Sequence, residues 1–342
     1  MLLAVNFPSW INPEIIPGLP FRWYGLMYIV AFGICWLLYR VQVKERNFPI
    51  SDDDLSGLFF WTILAMIAGA RIFSTLVYDS NPMYRRAPWL IFWPFQNGRF
   101  TGLLGMSYHG GVIGALLAVI IYSVRHRYDF REIGDMFSAA IPLGYTFGRL
   151  GNFINAELYG RVTGSSFGML FPGAQVSTGQ AWAREIAEKL GIDGSLNYVN
   201  LPRHPSQLYE AVFEGVVLWL ILWALRNKKP FKGFLMGIYL IGYGFFRFII
   251  EYFREPDANM GYRITLVKTG IPPALFSSLF NFTTGQVFCF AMIMLGLAWL
   301  IIASRLPGKE PVITYPLKGK VVDEEEKRRQ KQQRRKMRKK LG

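Results

Sequence analysis

The chain has 342 residues, 52% of them hydrophobic and 18% charged. An ordinary soluble domain carries about 25% charge, so this composition, with 16% aromatic residues, excludes both a soluble globular protein and a disordered one. The formal net charge of +15 is concentrated at the end, where residues 318–342 hold 12 Lys/Arg against 4 Asp/Glu. A basic segment that follows a membrane span reads as a cytoplasmic, lipid-facing tail, and nothing else in the chain resembles a nucleic-acid module, so no nucleic-acid partner is expected.

Residues 1–21 lack a basic leading region and are interrupted by prolines, so they do not read as a cleaved signal peptide. Beyond them, apolar blocks of about twenty residues predict an all-α polytopic membrane protein with seven transmembrane helices. The expected spans are 24–39, 57–77, 103–124, 136–158, 206–225, 233–253 and 285–303. Residues 78–102 mix Trp89, Phe92, Trp93 and Phe95 with Arg85, Arg86 and Arg99, the composition of an arm lying in the membrane interface. Residues 160–205 are polar enough for a small extracytoplasmic cap, and residues 1–317 are expected to form one transmembrane domain ahead of the tail. The short segments 40–56, 125–133 and 225–232 are dense in Lys/Arg and share a side with the tail. The positive-inside rule then places the N-terminus outside and the C-terminus in the cytoplasm.

Polar residues inside spans are costly in lipid and are functional candidates by default. With this orientation Tyr24, Arg71, His109, Arg149, Asn152, Asn155, Gln207, Glu210, Glu214, Tyr243, Arg247 and Glu251 all fall toward the outer leaflet. Pairs such as Arg247 with Glu251 also suit plain structural ion pairing, and a lone His109 suits a satisfied interior histidine. The asymmetry is what structural pairing leaves unexplained. Arg71, Arg149 and Arg247 exceed what the nearby glutamates require if one carboxyl of a pair is protonated, and surplus guanidinium points to an anionic ligand such as phosphate. Cys35 and Cys289 lie in apolar runs and make a disulfide framework improbable. His109, His126 and His204 are too scattered for a zinc site, there is no P-loop, and no metal or cofactor is expected.

The stretch Gly148-Arg149-Leu150-Gly151-Asn152-Phe153-Ile154-Asn155-Ala156-Glu157-Leu158-Tyr159-Gly160-Arg161 resembles the signature of bacterial prolipoprotein diacylglyceryl transferases. Four further segments resemble that family in order. They are Arg22 to Tyr28, Ser107-Tyr108-His109-Gly110-Gly111, Leu201 to Glu210, and Gly242 through Arg247 and Glu251 to Asp257. The basic tail is longer than the family pattern.

The resemblance implies a reaction at the inner membrane: an sn-1,2-diacylglyceryl group passes from phosphatidylglycerol to the lipobox cysteine thiol of a preprolipoprotein signal peptide, and glycerol 1-phosphate leaves. It implies catalytic roles for Arg149 and Arg247 on the phosphate and for His109 as general base, with His204 the runner-up base. It implies substrate-binding or orienting roles for Tyr24, Asn152, Asn155, Glu157, Gly160, Tyr243 and Glu251. Gly110 and Gly111 suit close approach of lipid or of a neighbouring helix. The rival reading is an organic-anion or lipid transporter, which would place its site at the midplane between internal repeats. No such repeat is seen.

Overall fold

A computed structural model describes residues 4–16, 22–79, 81–96, 98–100, 102, 105–193, 195–256, 261–268 and 270–307. The basic tail, 318–342, lies outside the described residues. The longer helices among the described residues are α1 Trp23–Arg46, α2 Asp52–Tyr78, α3 Tyr108–Arg125, α4 Phe130–Ser138, α5 Ile141–Ile154, α6 Ala181–Lys189, α7 Ser206–Leu225, α8 Phe234–Ile250 and α9 Thr284–Arg305. Among the described residues, five of them (α1, α2, α3, α7 and α9) are long and apolar enough to cross a membrane, and α8 is a shorter apolar helix. Large side chains face outward along them, for example Phe288 at 61% and Leu295 at 65% exposure on α9. Exposed apolar surface on this scale is stable only against lipid, so the chain is a multi-pass helical membrane protein.

Two expected spans differ. The span at 136–158 is broken: α4 ends at Ser138 and α5 restarts at Ile141, with Pro142 in its first turn, where its missing N–H and fixed φ suit a helix start. The span at 103–124 begins later, at Tyr108, because the Ser107 hydroxyl accepts the Gly110 N–H at 3.2 Å and caps α3.

The chain falls into two compact units, one containing the described residues up to Tyr39 and from Asp135 onward, the other Arg40–Gly134. In the unit Arg40–Gly134, α2 and α3 run antiparallel through a seam of small residues. A Cβ on Gly110 would lie 2.3 Å from the Gly69 carbonyl oxygen, and one on Gly114 2.2 Å from that of Ala65. Gly110 therefore serves helix packing, one of the two uses open to it in the sequence. Arg71, only 4% exposed, donates through Nε to the Ile91 carbonyl at 2.6 Å and through Nη1 to the Gly105 carbonyl at 3.3 Å. It holds Ile91, in the 3-10 turn Pro88–Phe92 that follows a one-turn helix Met83–Arg86; beyond the turn, strand Phe95–Gln96 pairs antiparallel with Arg99–Phe100.

In the other unit, α8 and α9 pack through Gly237, Gly244 and Gly296. Thr283 and Gln286 form a reciprocal capping box at the start of α9. Residues 160–205 hold a small core of Val162, Ala183, Ala187, Val199 and Leu201 under α6, and strand Val5–Asn6 pairs with Met169–Leu170.

Buried charge is not confined to the helix ends expected to face outward. Asp135, fully buried, takes Lys229 Nζ at 3.0 Å and caps α8 by accepting the Gly233 and Met236 N–H groups. In the unit Arg40–Gly134, Arg46 and Glu132 form a buried pair at 3.5 Å. Arg46, Glu132, Asp135 and Lys229 all lie outside the expected spans, in or beside the segments expected to be cytoplasmic. What distinguishes the set described next is that several charges share one carboxylate.

Candidate active site

The unit containing α5, α7 and α8 gathers its charges around Glu210, which is fully buried one turn into α7. Arg149 on α5 places Nε 2.8 Å from Glu210 Oε2, while Arg247 on α8 and Arg254 just past it each place Nη1 3.1 Å from Oε1. Arg247 also reaches Glu251 Oε2 at 3.0 Å and stands 3.8 Å from Glu214 Oε1. Thr283 Oγ1 donates to Glu251 Oε1 at 3.0 Å. The i, i+4 step between Arg247 and Glu251 is the α-helical spacing that brings the two together.

Three guanidinium groups (Arg149, Arg247, Arg254) therefore meet three carboxyl groups (Glu210, Glu214, Glu251). The expected set of arginines changes in membership: Arg71 is spent on backbone carbonyls, and Arg254, beyond the apolar run, joins Arg149 and Arg247. What remains uncommitted is more local. Arg149 donates through Nη1 to Asn152 Oδ1 at 3.4 Å and through Nε to Glu210, but among the described residues Nη2 has no partner. Its side chain is 17% exposed, so a forked donor faces open space at the edge of a buried charge cluster.

Around Arg149 the signature residues form a polar lattice. Asn152 Nδ2 donates to Glu157 Oε1 at 2.9 Å, Asn155 Nδ2 to the same oxygen at 3.4 Å, and the Tyr24 hydroxyl shares a 3.0 Å hydrogen bond with that of Tyr28. Ala156 and Leu158 both take positive φ, at 52° and 55°, which turns the chain out of α5 and presents Glu157 back to Asn152. Gly160 lies between backbones: its N–H donates to the His204 carbonyl at 2.8 Å, and a Cβ there would be 2.2 Å from the Phe253 carbonyl oxygen. Its position explains why no side chain fits.

Tyr145 and Tyr243 complete the set. The Tyr145 ring lies under the Arg149 guanidinium, 4.7 Å from centroid to Cζ, and its hydroxyl donates to Glu214 Oε2 at 2.5 Å. Tyr243 packs edge-on against Tyr145 with centroids 5.8 Å apart. Glu214 sits in a π-helical stretch, Ala211–Val217, and such stretches are frequent at functional sites. Sequence reasoning passed over Tyr145, although it stands one turn before Arg149.

His109 belongs to the unit Arg40–Gly134. Its Nδ1 shares a 2.8 Å hydrogen bond with the Tyr78 hydroxyl, and Tyr78 closes a second π-helical stretch, Ser74–Tyr78. His204 shares a 3.2 Å hydrogen bond with the Tyr209 hydroxyl and packs edge-on against Phe253, and burial lowers its pKa. It lines a largely apolar cleft of about 1010 Å³ together with Phe248, Ile249, Tyr252, Phe253 and Leu275. The cleft matches the upper size of small-molecule sites.

A multi-pass helical protein that sinks an arginine–carboxylate cluster among its spans, with guanidinium edges left open, has the chemistry that suits an anionic ligand. The chain is a member of the prolipoprotein diacylglyceryl transferase family, whose model it matches over residues 13–302. It is 54% identical to the phosphatidylglycerol–prolipoprotein diacylglyceryl transferase of Treponema denticola, with 88% of this chain and 95% of that one covered. It is 48% identical to the enzyme of that name from Treponema pallidum, covering 91% and 98%, and 43% identical to that from Chlorobaculum tepidum, covering 86% and 91%.

Proposed function

We propose that the protein transfers the sn-1,2-diacylglyceryl group of phosphatidylglycerol to the lipobox cysteine thiol of preprolipoproteins. A carbon–sulfur bond forms at the glycerol carbon that bears the phosphate, the carbon–oxygen bond breaks, and its electron pair leaves on the phosphate oxygen of glycerol 1-phosphate. The observation that carries this reading is the open edge of Arg149 beside Arg247, both anchored on the one buried carboxylate of Glu210. Guanidinium groups fixed in advance stabilise charge that grows on a departing phosphate oxygen without reorganising as it forms.

A thiol has a reference pKa near 8.5 and must lose its proton to attack carbon. His109 is the base in this reading. With Nδ1–H donating to the Tyr78 oxygen, Nε2 carries the lone pair that takes the proton. Tyr24, Asn152, Asn155, Glu157, Tyr243 and Glu251 hold the headgroup or the arginines, and Gly160 keeps the neighbouring backbones close enough to do so. The N-terminus lies outside and the C-terminus in the cytoplasm of a bacterial inner membrane, with the site opening to the outer leaflet. The partners are membrane lipid and the signal peptide, not nucleic acid.

Purified protein in phosphatidylglycerol vesicles, given a synthetic lipobox peptide, is expected to release glycerol phosphate and add the diacylglyceryl mass to the thiol. Vesicles of phosphatidylcholine alone should give neither. Absence of product from folded protein would remove the enzymatic reading. In the same assay His109→Asn is expected to lose turnover, and an active His109→Asn would assign the thiol proton to another group.

A further inference from the structure

Arg149 is held on two sides by groups of different kinds. At its edge, Nε meets Glu210 at 2.8 Å and Nη1 reaches Asn152 Oδ1 at a long 3.4 Å, so only one of its in-plane contacts is short and neither touches its face. Across its face lies the Tyr145 ring at 4.7 Å, and a cation over an aromatic face is attracted by the ring quadrupole. The ring is itself braced, by the hydroxyl bond to Glu214 and by the edge of Tyr243. Glu214 is fully buried.

We propose that Tyr145 is a positioning residue that sets the plane of the Arg149 guanidinium so that its open edge meets the phosphate of the anionic lipid donor. The ring supplies the orientation, and the hydroxyl–Glu214 contact keeps the ring in place. This rests on the reading of Arg149 as a phosphate ligand. A residue that aims a donor-binding group changes donor affinity and leaves the peptide acceptor unaffected. A residue that only fills space changes neither KM alone.

The test uses the full chain in phosphatidylglycerol vesicles, with the KM for lipid and for lipobox peptide measured separately. Tyr145→Leu and Tyr145→Met, which keep an apolar side chain but remove the aromatic face, are expected to raise the KM for phosphatidylglycerol about tenfold with the peptide KM unchanged. Tyr145→Phe, which keeps the face, should restore the lipid KM to within about threefold. Thermal unfolding of each variant shows which are folded, and two non-aromatic replacements keep the test open if one of them misfolds. A lipid KM unchanged in Leu or Met, an equal rise for both substrates, or a Phe variant as weak as Leu would overturn the proposal. Arg149→Ala is run alongside: full turnover there would instead overturn the phosphate role of Arg149 on which the proposal stands.

Discussion

Arg149→Ala is expected to reduce turnover about a thousandfold while leaving the protein folded, the scale seen when one preorganised donor to a developing oxyanion is removed. The geometry says why function and stability should separate. Glu210 keeps Arg247 and Arg254 at 3.1 Å each, so the buried carboxylate is not orphaned when the third guanidinium is deleted. The substitution removes a guanidinium whose Nη2 has no partner among the described residues and is therefore open to ligand. Turnover within threefold of the parent, in a sample whose unfolding temperature is unchanged, would mean that the phosphate is held elsewhere.

Glu210→Ala is expected to do the reverse damage. Three guanidinium groups would lose a shared counter-charge inside the helix bundle, and removing one partner of a buried ion pair costs about 3–5 kcal/mol. Thermal unfolding in detergent should show a large fall in transition temperature. Glu210→Gln should fall less, because an amide oxygen still accepts one of the arginine hydrogen bonds. An alanine variant as stable as the parent would show that Arg149, Arg247 and Arg254 are supported by other contacts.

Much of this arrangement was legible in the residues, and the parts that were not share a cause. Continuous apolar runs identify helices such as α7 and α9 because a bilayer demands length and little else. The i, i+4 spacing of Arg247 and Glu251 also places them on one face without a structure. The break between α4 and α5 is hidden in a run that stays apolar throughout, although Pro142 was a usable signal for a restart. Tyr78 and Glu214 lie in π-helical stretches, where 3.6-residue periodicity gives the wrong face, so neither partner, His109 or Tyr145, could be assigned from spacing. The charge count failed at Arg254 because hydropathy ended the span before it, yet one further turn of chain carries its guanidinium back onto Glu210. Arg71 failed differently: backbone carbonyl acceptors, which consume it, leave no trace in composition.

The equal numbers of guanidinium and carboxyl groups have a consequence for how the resting protein waits in a bilayer. Arginines paired with carboxyl groups can persist in hydrocarbon without drawing a counter-ion from water, whereas unpaired arginines there could not. On the proposed reading, an arriving phosphodiester meets the open edge of Arg149 and, as it draws that guanidinium, competes with Glu210 for it. Donor affinity is then set by how readily the glutamates yield as well as by how firmly the arginines hold.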